Sequence, residues 1–408
     1  MGKNRNGQGC LGSLVGLFTV FALGIVLLLY LVSSRPKVRD FVSRMGVPLE
    51  RLLPSSVTGF VPDAEDVQLE EISEDGLAYG SLSDARKLVY AQLLNGIVAK
   101  QESFEVKGAT KDDIEPTYRA LLADHPELFW VDGSTNYTYY QGEDRVTVTP
   151  GLNMSLDEVD GVRTQIESAA NKFLSTIPKG ASDYDVAKLA YEFVINTTDY
   201  NESAEQSQNI QSVFLGHASV CAGYARAYEY LLQKAGLSCC FVEGRIPSSG
   251  EEHAWNIVRV DGQYTYVDVT WGDPTYPGLE GTSPEISYDY LGLTTEEIAR
   301  DDHEFDDASM WPACDSTSAS YYAHEGLVFN SYDTAALSDA FRRQSDSGKS
   351  TIVFKFSSQD AYAQARDALA AGEFLADDLR SLFQSSGRTD FAYQYQISDS
   401  LYIVKLFL

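Results

Sequence analysis

The sequence predicts an α+β protein: a mixed core flanked by small α+β units and preceded by an N-terminal transmembrane helix. Three observations lead there. Residues 11–32 form an uncharged, largely apolar run of 22 residues, long enough to cross a bilayer as a helix. From Ser81 onward, segments with helical apolar spacing are interspersed with strand-like alternation, neither dominating. Between residues 221 and 271, an amphipathic helix is followed by two strands joined through Asp261-Gly262, a strong two-residue hairpin signal.

A length of 408 residues suits two or three domains. The boundaries read as an anchor at 1–32, a linker at 33–75, an N-terminal α+β region at 76–155, a core at 156–314 and a C-terminal α+β domain at 315–408. The chain carries 59 acidic against 31 basic residues, a net charge of −28. That balance excludes a nucleic-acid partner, which needs a basic footprint.

No small-x-small cleavage site follows the apolar run, so it reads as an uncleaved, single-pass anchor holding the protein to a cell membrane. Lys3 and Arg5 precede it; Arg35, Lys37, Arg39 and Arg44 follow it, and taken literally would keep the following chain in the cytoplasm. The linker contains Pro36, Pro48, Pro54 and Pro62 and an acidic cluster from Glu65 to Glu71.

In the N-terminal region, Ser83-Asp84 caps a helix to Lys100 with Leu88, Leu93, Leu94 and Ile97 as its apolar face. A strand at 103–107, a helix at 112–123 and a hairpin of 137–140 with 146–149 follow. His125, before Pro126, lacks metal-ligating neighbours and reads as a turn histidine. Two amphipathic helices, 156–177 and 182–196, open the core, the second on a Ser182-Asp183 cap.

The chemistry is concentrated next. Ala225, Tyr228, Leu231, Leu232 and Ala235 fall at helical spacing and Gly236 is a natural stop, which places Cys221 at a helix N-terminus. Orphan N–H groups and the positive dipole end there favour a thiolate and can receive an oxyanion. Pairing Val260 with Gln263 across the turn sets Trp255 opposite Asp268, so that His253, Trp255 and Asp268 share one face, with Asp268 diagonal to His253. A one-residue slip would separate them. Nucleophile, base and orienting acid thus occur in order: Cys221, His253, Asp268. Trp255 and Trp271 either line a substrate channel or cover the core. His217 reads as a loop histidine near the site and Asp273 as a structural turn residue. Cys239, Cys240 and Cys314 read as packing residues, with a bridge from Cys314 left open; the cysteines form no metal pattern.

The segments VCAGYARAYEYLLQKAG, EEHAWNIVRVDG and YVDVTWGDP resemble the core of the transglutaminase-like superfamily, specifically its bacterial transglutaminase/protease-like members, over about residues 180–300. The resemblance implies a papain-like fold. It puts Cys221 on the nucleophile, His253 on the base and Asp268 on the orienting acid, and implies an extracytoplasmic globular part. It leaves the second oxyanion donor unassigned. His303, in RDDHEF, resembles a family segment after the core and is expected at the surface. Such triads act on protein or peptide substrates and need no metal or organic cofactor. Members include cross-linking enzymes, proteases, amidases and inactive relatives. Two readings follow: a thiol enzyme acting on peptide or amide bonds, by hydrolysis more than transamidation, or a non-catalytic binding module at the cell envelope.

Tyr288-Asp289-Tyr290 returns the chain to the sheet. From Tyr321, strands at 321–329, 350–357, 390–397 and 400–407 with helices at 334–345, 359–371 and 374–385 suit a ferredoxin-like sheet. Lys349, Lys355 and Lys405 look scattered over it.

Overall fold

The computed structural model describes residues 76–139, 145–275, 285–385, 387 and 393–408. The expected anchor and linker lie outside them. Among the described residues, no helix is long and apolar enough to cross a membrane.

The N-terminal region begins with α1 (Leu77–Ser81) and α2 (Asp84–Val98), the latter capped by the Ser83 side chain, which accepts from the Arg86 amide. Leu93, Leu94 and Ile97 are buried as expected, but Leu88 is 68% exposed. Val89 and Tyr90 complete the buried stripe instead, because Leu88 lies about half a turn around the helix from Ile97. Strand β1 (Phe104–Lys107), helix α3 (Lys111–Asp124) and strands β2 (Val131–Tyr139) and β3 (Arg145–Leu152) follow, the sheet having the antiparallel order β1-β3-β2. Pro116 interrupts the hydrogen-bond ladder of α3. The Asp112 carbonyl left over accepts from the Arg86 guanidinium at 3.3 Å.

In the core, α4 (Val159–Leu174) precedes α5 (Asp183–Thr197), which starts in a Ser182–Asp185 capping box. The short parallel pair β4 (Asp199–Tyr200) and β5 (Ala218–Ser219) leads into α6 (Cys221–Lys234). Strands β6 (Cys239–Ile246), β7 (Glu251–Val260), β8 (Gln263–Val267) and β9 (Leu291–Leu293) come next, then α7 (Thr295–Arg300) and β10 (Glu304–Phe305). They form an antiparallel sheet in the order β10-β6-β7-β8-β9, with α6 laid across β6 and β7. The β7–β8 register is the expected one, Val260 opposite Gln263 and Asn256 opposite Val267. Asp261 and Gly262 have φ of +49° and +81°, the signs a type I′ turn requires. A 3₁₀ turn at Tyr288–Tyr290 delivers the chain to β9.

The C-terminal part contains α8 (Tyr321–His324), β11 (Val328–Phe329), α9 (Thr334–Asp346), β12 (Thr351–Phe356), α10 (Gln359–Ala370), α11 (Ala376–Ser385), β13 (Gln394–Ser398) and β14 (Ile403–Phe407). Residues 321–324 are helical rather than extended, because Ser320 caps them by accepting from the Ala323 amide. The sheet order is β11-β12-β14-β13, with β11 parallel to β12 across α9. A ferredoxin-like sheet would interleave its two βαβ units; here the first two strands are direct neighbours and the last two form a hairpin, so that expectation is corrected. Nor are the lysines all scattered. Lys355 is buried 2.6 Å from Glu297, and Lys405 is buried 2.6 Å from Asp289. Both reach into the core, and one apolar cluster runs through all three parts.

Candidate active site

Cys221 is the first residue of α6, after an extended Val220 whose carbonyl accepts from the Tyr224 amide at 3.1 Å. Helix geometry leaves the amides of Cys221, Ala222 and Gly223 without intrahelical acceptors. Gly223 is required here, since a Cβ would sit 1.9 Å from Ser219 Oγ. The Tyr224 hydroxyl donates to Asp273 Oδ2 (2.6 Å) and lies 2.8 Å from the Thr198 carbonyl, so Asp273 is the structural residue expected, tying the first turn of α6 to the loop after β8. Asn256 Nδ2 donates to the Ala225 carbonyl at 3.0 Å and fixes α6 against β7. Cys221 is half-buried among Ala222, Ala225, Phe241 and Ala254.

His253 and Asp268 are both buried, with His253 Nε2 2.7 Å from Asp268 Oδ2. The other ring nitrogen, Nδ1, remains for Cys221, which stands close enough to the ring to favour its charged form. Asp268 Oδ1 accepts from the amides of Thr270 (2.9 Å) and Trp271 (3.1 Å). Burial alone would raise the Asp268 carboxyl, but the charge and hydrogen bond of His253, with His303 adding, hold it well below the usual carboxylate range. Burial likewise opposes a charged His253, yet Asp268 and then Cys221 push it up to about 10. A buried imidazolium between a thiol and a carboxylate is the arrangement needed to form and use a thiolate.

The other candidates divide. Trp255 is wholly buried and has no surface with which to line a channel; it packs against His303 (ring centroids 4.9 Å) and Phe305 (5.2 Å) as core. Trp271 is half-buried, 5.5 Å from the His253 ring. His217 is exposed, with Nδ1 3.2 Å from the Thr197 carbonyl. His125 Nδ1 meets Glu127 at 2.6 Å. Cys221, Cys239, Cys240 and Cys314 are all free thiols.

His303 is the residue that sequence reasoning misplaced. It is 3% exposed, and its Nε2 lies 3.2 Å from the same Asp268 oxygen that meets His253. The sign was present in RDDHEF: His303 and Phe305 alternate with Glu304 and Asp306, a strand pattern with one face inward. Strand β10 pairs with β6 as that pattern requires, and Gly244 permits it, since a Cβ there would lie 2.1 Å from the Glu304 carbonyl oxygen and 2.5 Å from Trp255. His253, Asp268 and His303 each offer a ligand atom within 4.8 Å of the others, a donor set suited to a divalent metal. The contacts at 2.7 and 3.2 Å are already hydrogen bonds, which account for the whole set, and no metal is assigned.

Comparison with known proteins places Cys221, His253 and Asp268 inside the matched region. Residues 172–269 match the family model described as the transglutaminase-like superfamily. The kyphoscoliosis peptidase of Mus musculus is 25% identical over 173 residues, 38% of this chain and 26% of that protein. The Lim and transglutaminase domain protein ltd-1 of Caenorhabditis elegans is 28% identical over 136 residues, 29% of this chain and 18% of its own length. The chain thus spans about a quarter or less of these relatives. Among solved structures, a TGase aligns at 15% identity and TM-score 0.26, covering 39% of this chain and 47% of its own. A putative cysteine protease from Cytophaga hutchinsonii aligns at 12% and 0.23, covering 33% and 61%.

Proposed function

We propose that this chain, whose core belongs to the transglutaminase-like superfamily, is a cysteine-dependent acyl-transfer enzyme acting on peptide or amide bonds, with water as the favoured acceptor. One observation carries the reading: Cys221 at the start of α6 meets the ring of a buried His253 whose Nε2 is held 2.7 Å from Asp268. Cys221 Sγ bonds to the carbonyl carbon while the C=O π pair moves to oxygen. Unpaired amides in the first turn of α6 receive that oxyanion. As the tetrahedral centre collapses, the C–N bond breaks and His253 gives its proton to the leaving amine. The thioester is then attacked by water, whose proton passes to His253, releasing the acid and restoring the thiolate–imidazolium pair. Asp268 keeps the imidazole oriented and stabilises its charged form throughout. Nothing in this sequence of steps requires a cofactor.

Incubating the full chain with a peptide mixture and a labelled primary amine separates the acceptors by mass spectrometry. Cleaved, unlabelled peptides that disappear in Cys221→Ala are expected. Label incorporated at glutamine, and lost in the same variant, would replace hydrolysis by cross-linking. The apolar run at 11–32 is proposed as the membrane anchor, with the globular part extracytoplasmic. Protein resistant to alkaline extraction from membranes, and digested by protease added outside intact cells, is the expected result.

A further inference from the structure

His303 is not needed by the mechanism above, yet its position is more constrained than a packing histidine requires. Its Nδ1 lies 2.8 Å from the Asp301 backbone carbonyl, and its Nε2 lies 3.2 Å from Asp268 Oδ2. A carbonyl oxygen only accepts, and Asp268, held ionised, only accepts. Both contacts are hydrogen bonds only if both ring nitrogens carry protons, which makes His303 a cation. Two histidines therefore donate to one carboxylate oxygen, with their ring centroids 5.5 Å apart. The rings of Trp255 (centroids 4.9 Å apart) and Trp271 (4.6 Å) pack against the His303 ring and bury it.

We infer that His303 is a positioning residue: it shares Asp268 with His253, fixes which carboxylate oxygen faces the base, and limits the negative charge standing behind the His253 imidazolium. The consequence concerns proton transfer. A carboxylate serving His253 alone would bind its proton so firmly that the ring would be a poor acid toward a leaving amine. A second cation on the same oxygen leaves the ring oriented and its proton transferable. The site then balances as two anions, Cys221 and Asp268, against two cations, His253 and His303. The other ionisable groups around His303 are Asp301, which it influences directly, and Tyr290 and Asp289, which act on Asp301. Asp301 is in turn met by Ser400 Oγ of the C-terminal part.

The inference rests on the acyl-transfer reading for its purpose, but its test does not need turnover. The chain has five histidines, few enough to assign by ¹⁵N NMR of the imidazole rings in the full-length protein. At neutral pH both His303 nitrogens should be protonated and hydrogen-bonded; one bare nitrogen would overturn the proposal. His303→Gln keeps a donor to Asp268 but removes the positive charge. The His253 titration midpoint in that variant should rise by about 1–2 pH units, the scale of one unit charge at this separation in a partly screened interior. If peptide cleavage is established, the alkaline limb of kcat/KM should move with it while KM changes less than about two-fold. An unmoved midpoint in a folded variant would assign His303 to packing alone. Should the variant not fold, the wild-type nitrogen signals decide. Absence of cleavage by the wild type would count against the enzyme reading without touching the NMR result.

Discussion

At the scale of single residues, charge placement separates groups that act from groups that are merely enclosed. Asp268→Asn keeps the shape of the side chain but removes the charge that holds His253 protonated. We expect a loss on the order of 10⁴ in kcat, as for the corresponding change in a serine protease, with little change in Tm. The His253 midpoint should fall from about 10 toward the ordinary histidine range, bringing the alkaline limb down with it. Activity equal to wild type would mean that another group orients the ring. Glu229 is the contrasting case. It lies wholly buried on α6, accepts from Gln233 Nε2 at 3.1 Å, and burial raises its carboxyl far above the usual range. The folded state therefore holds a proton that the unfolded chain releases above about pH 4.5, so stability falls as pH rises from there. Glu229→Gln mimics the protonated form and should gain stability over wild type progressively as pH rises above about 4.5, by up to about 1.4 kcal/mol per pH unit. Parallel urea melts at several pH values check this; a pH-independent difference would refute it.

At the scale of elements, local chemistry explains which parts of the site were legible in the sequence. The Asp261-Gly262 turn and the period-2 pattern on either side set a register that placed His253 and Asp268 on one face, and the structure keeps that register. Cys221 was equally legible, because the apolar spacing of α6 begins just behind it. Long-range pairing was not. That His303 reaches Asp268 depends on β10 crossing to β6, some 60 residues back along the chain, and acidic neighbours masked the inward face of a two-residue strand. Trp255 was ambiguous because alternation reveals a face but not what covers it; His303 and Phe305 do so. Gly244 is where this tertiary choice can be tested. Gly244→Ala puts a methyl 2.1 Å from the Glu304 carbonyl, so β10 must move and carry His303 from Asp268. The variant should lose both stability and activity. Gly250→Ala, at an open turn with φ +76°, supplies the control, since it strains the backbone without touching β10 and should lower stability alone. Equal activity in Gly244→Ala and wild type would contradict the role given to β10.

At the scale of the molecule, the C-terminal part serves as a buttress for the segment that carries His303. Lys355 pairs with Glu297, the residue whose carboxylate caps α7; Lys405 pairs with Asp289; and Arg300 donates to the Ser400 carbonyl. Buried pairs of this kind add little against an apolar replacement, but losing one partner strands a charge. Lys355→Met should therefore destabilise by about 3–5 kcal/mol, and Lys355→Met with Glu297→Gln should recover most of it. A double variant no better than the single would show that Lys355 acts through its stem and not its charge. The C-terminal topology was unreadable from the sequence, because pattern gives strand positions but not neighbours. Lys355 and Lys405 likewise look like surface lysines until their acidic partners, more than 50 and 100 residues away in the chain, are brought against them.

The central claim is that His253 activates Cys221, and alkylation tests it without knowledge of any substrate. Burial raises the thiols of Cys239 and Cys240 far above their usual range and that of Cys314 to about 12, so these three provide an internal reference. The measurement is the rate of iodoacetamide modification at each cysteine near pH 6.5, by peptide mass spectrometry, in wild type and in His253→Gln. Cys221 should react far faster than the other three in the wild type and slow by about 10-fold or more in the variant, as a thiolate reverts to a thiol. A Cys221 rate that is the same with and without His253 would contradict the account.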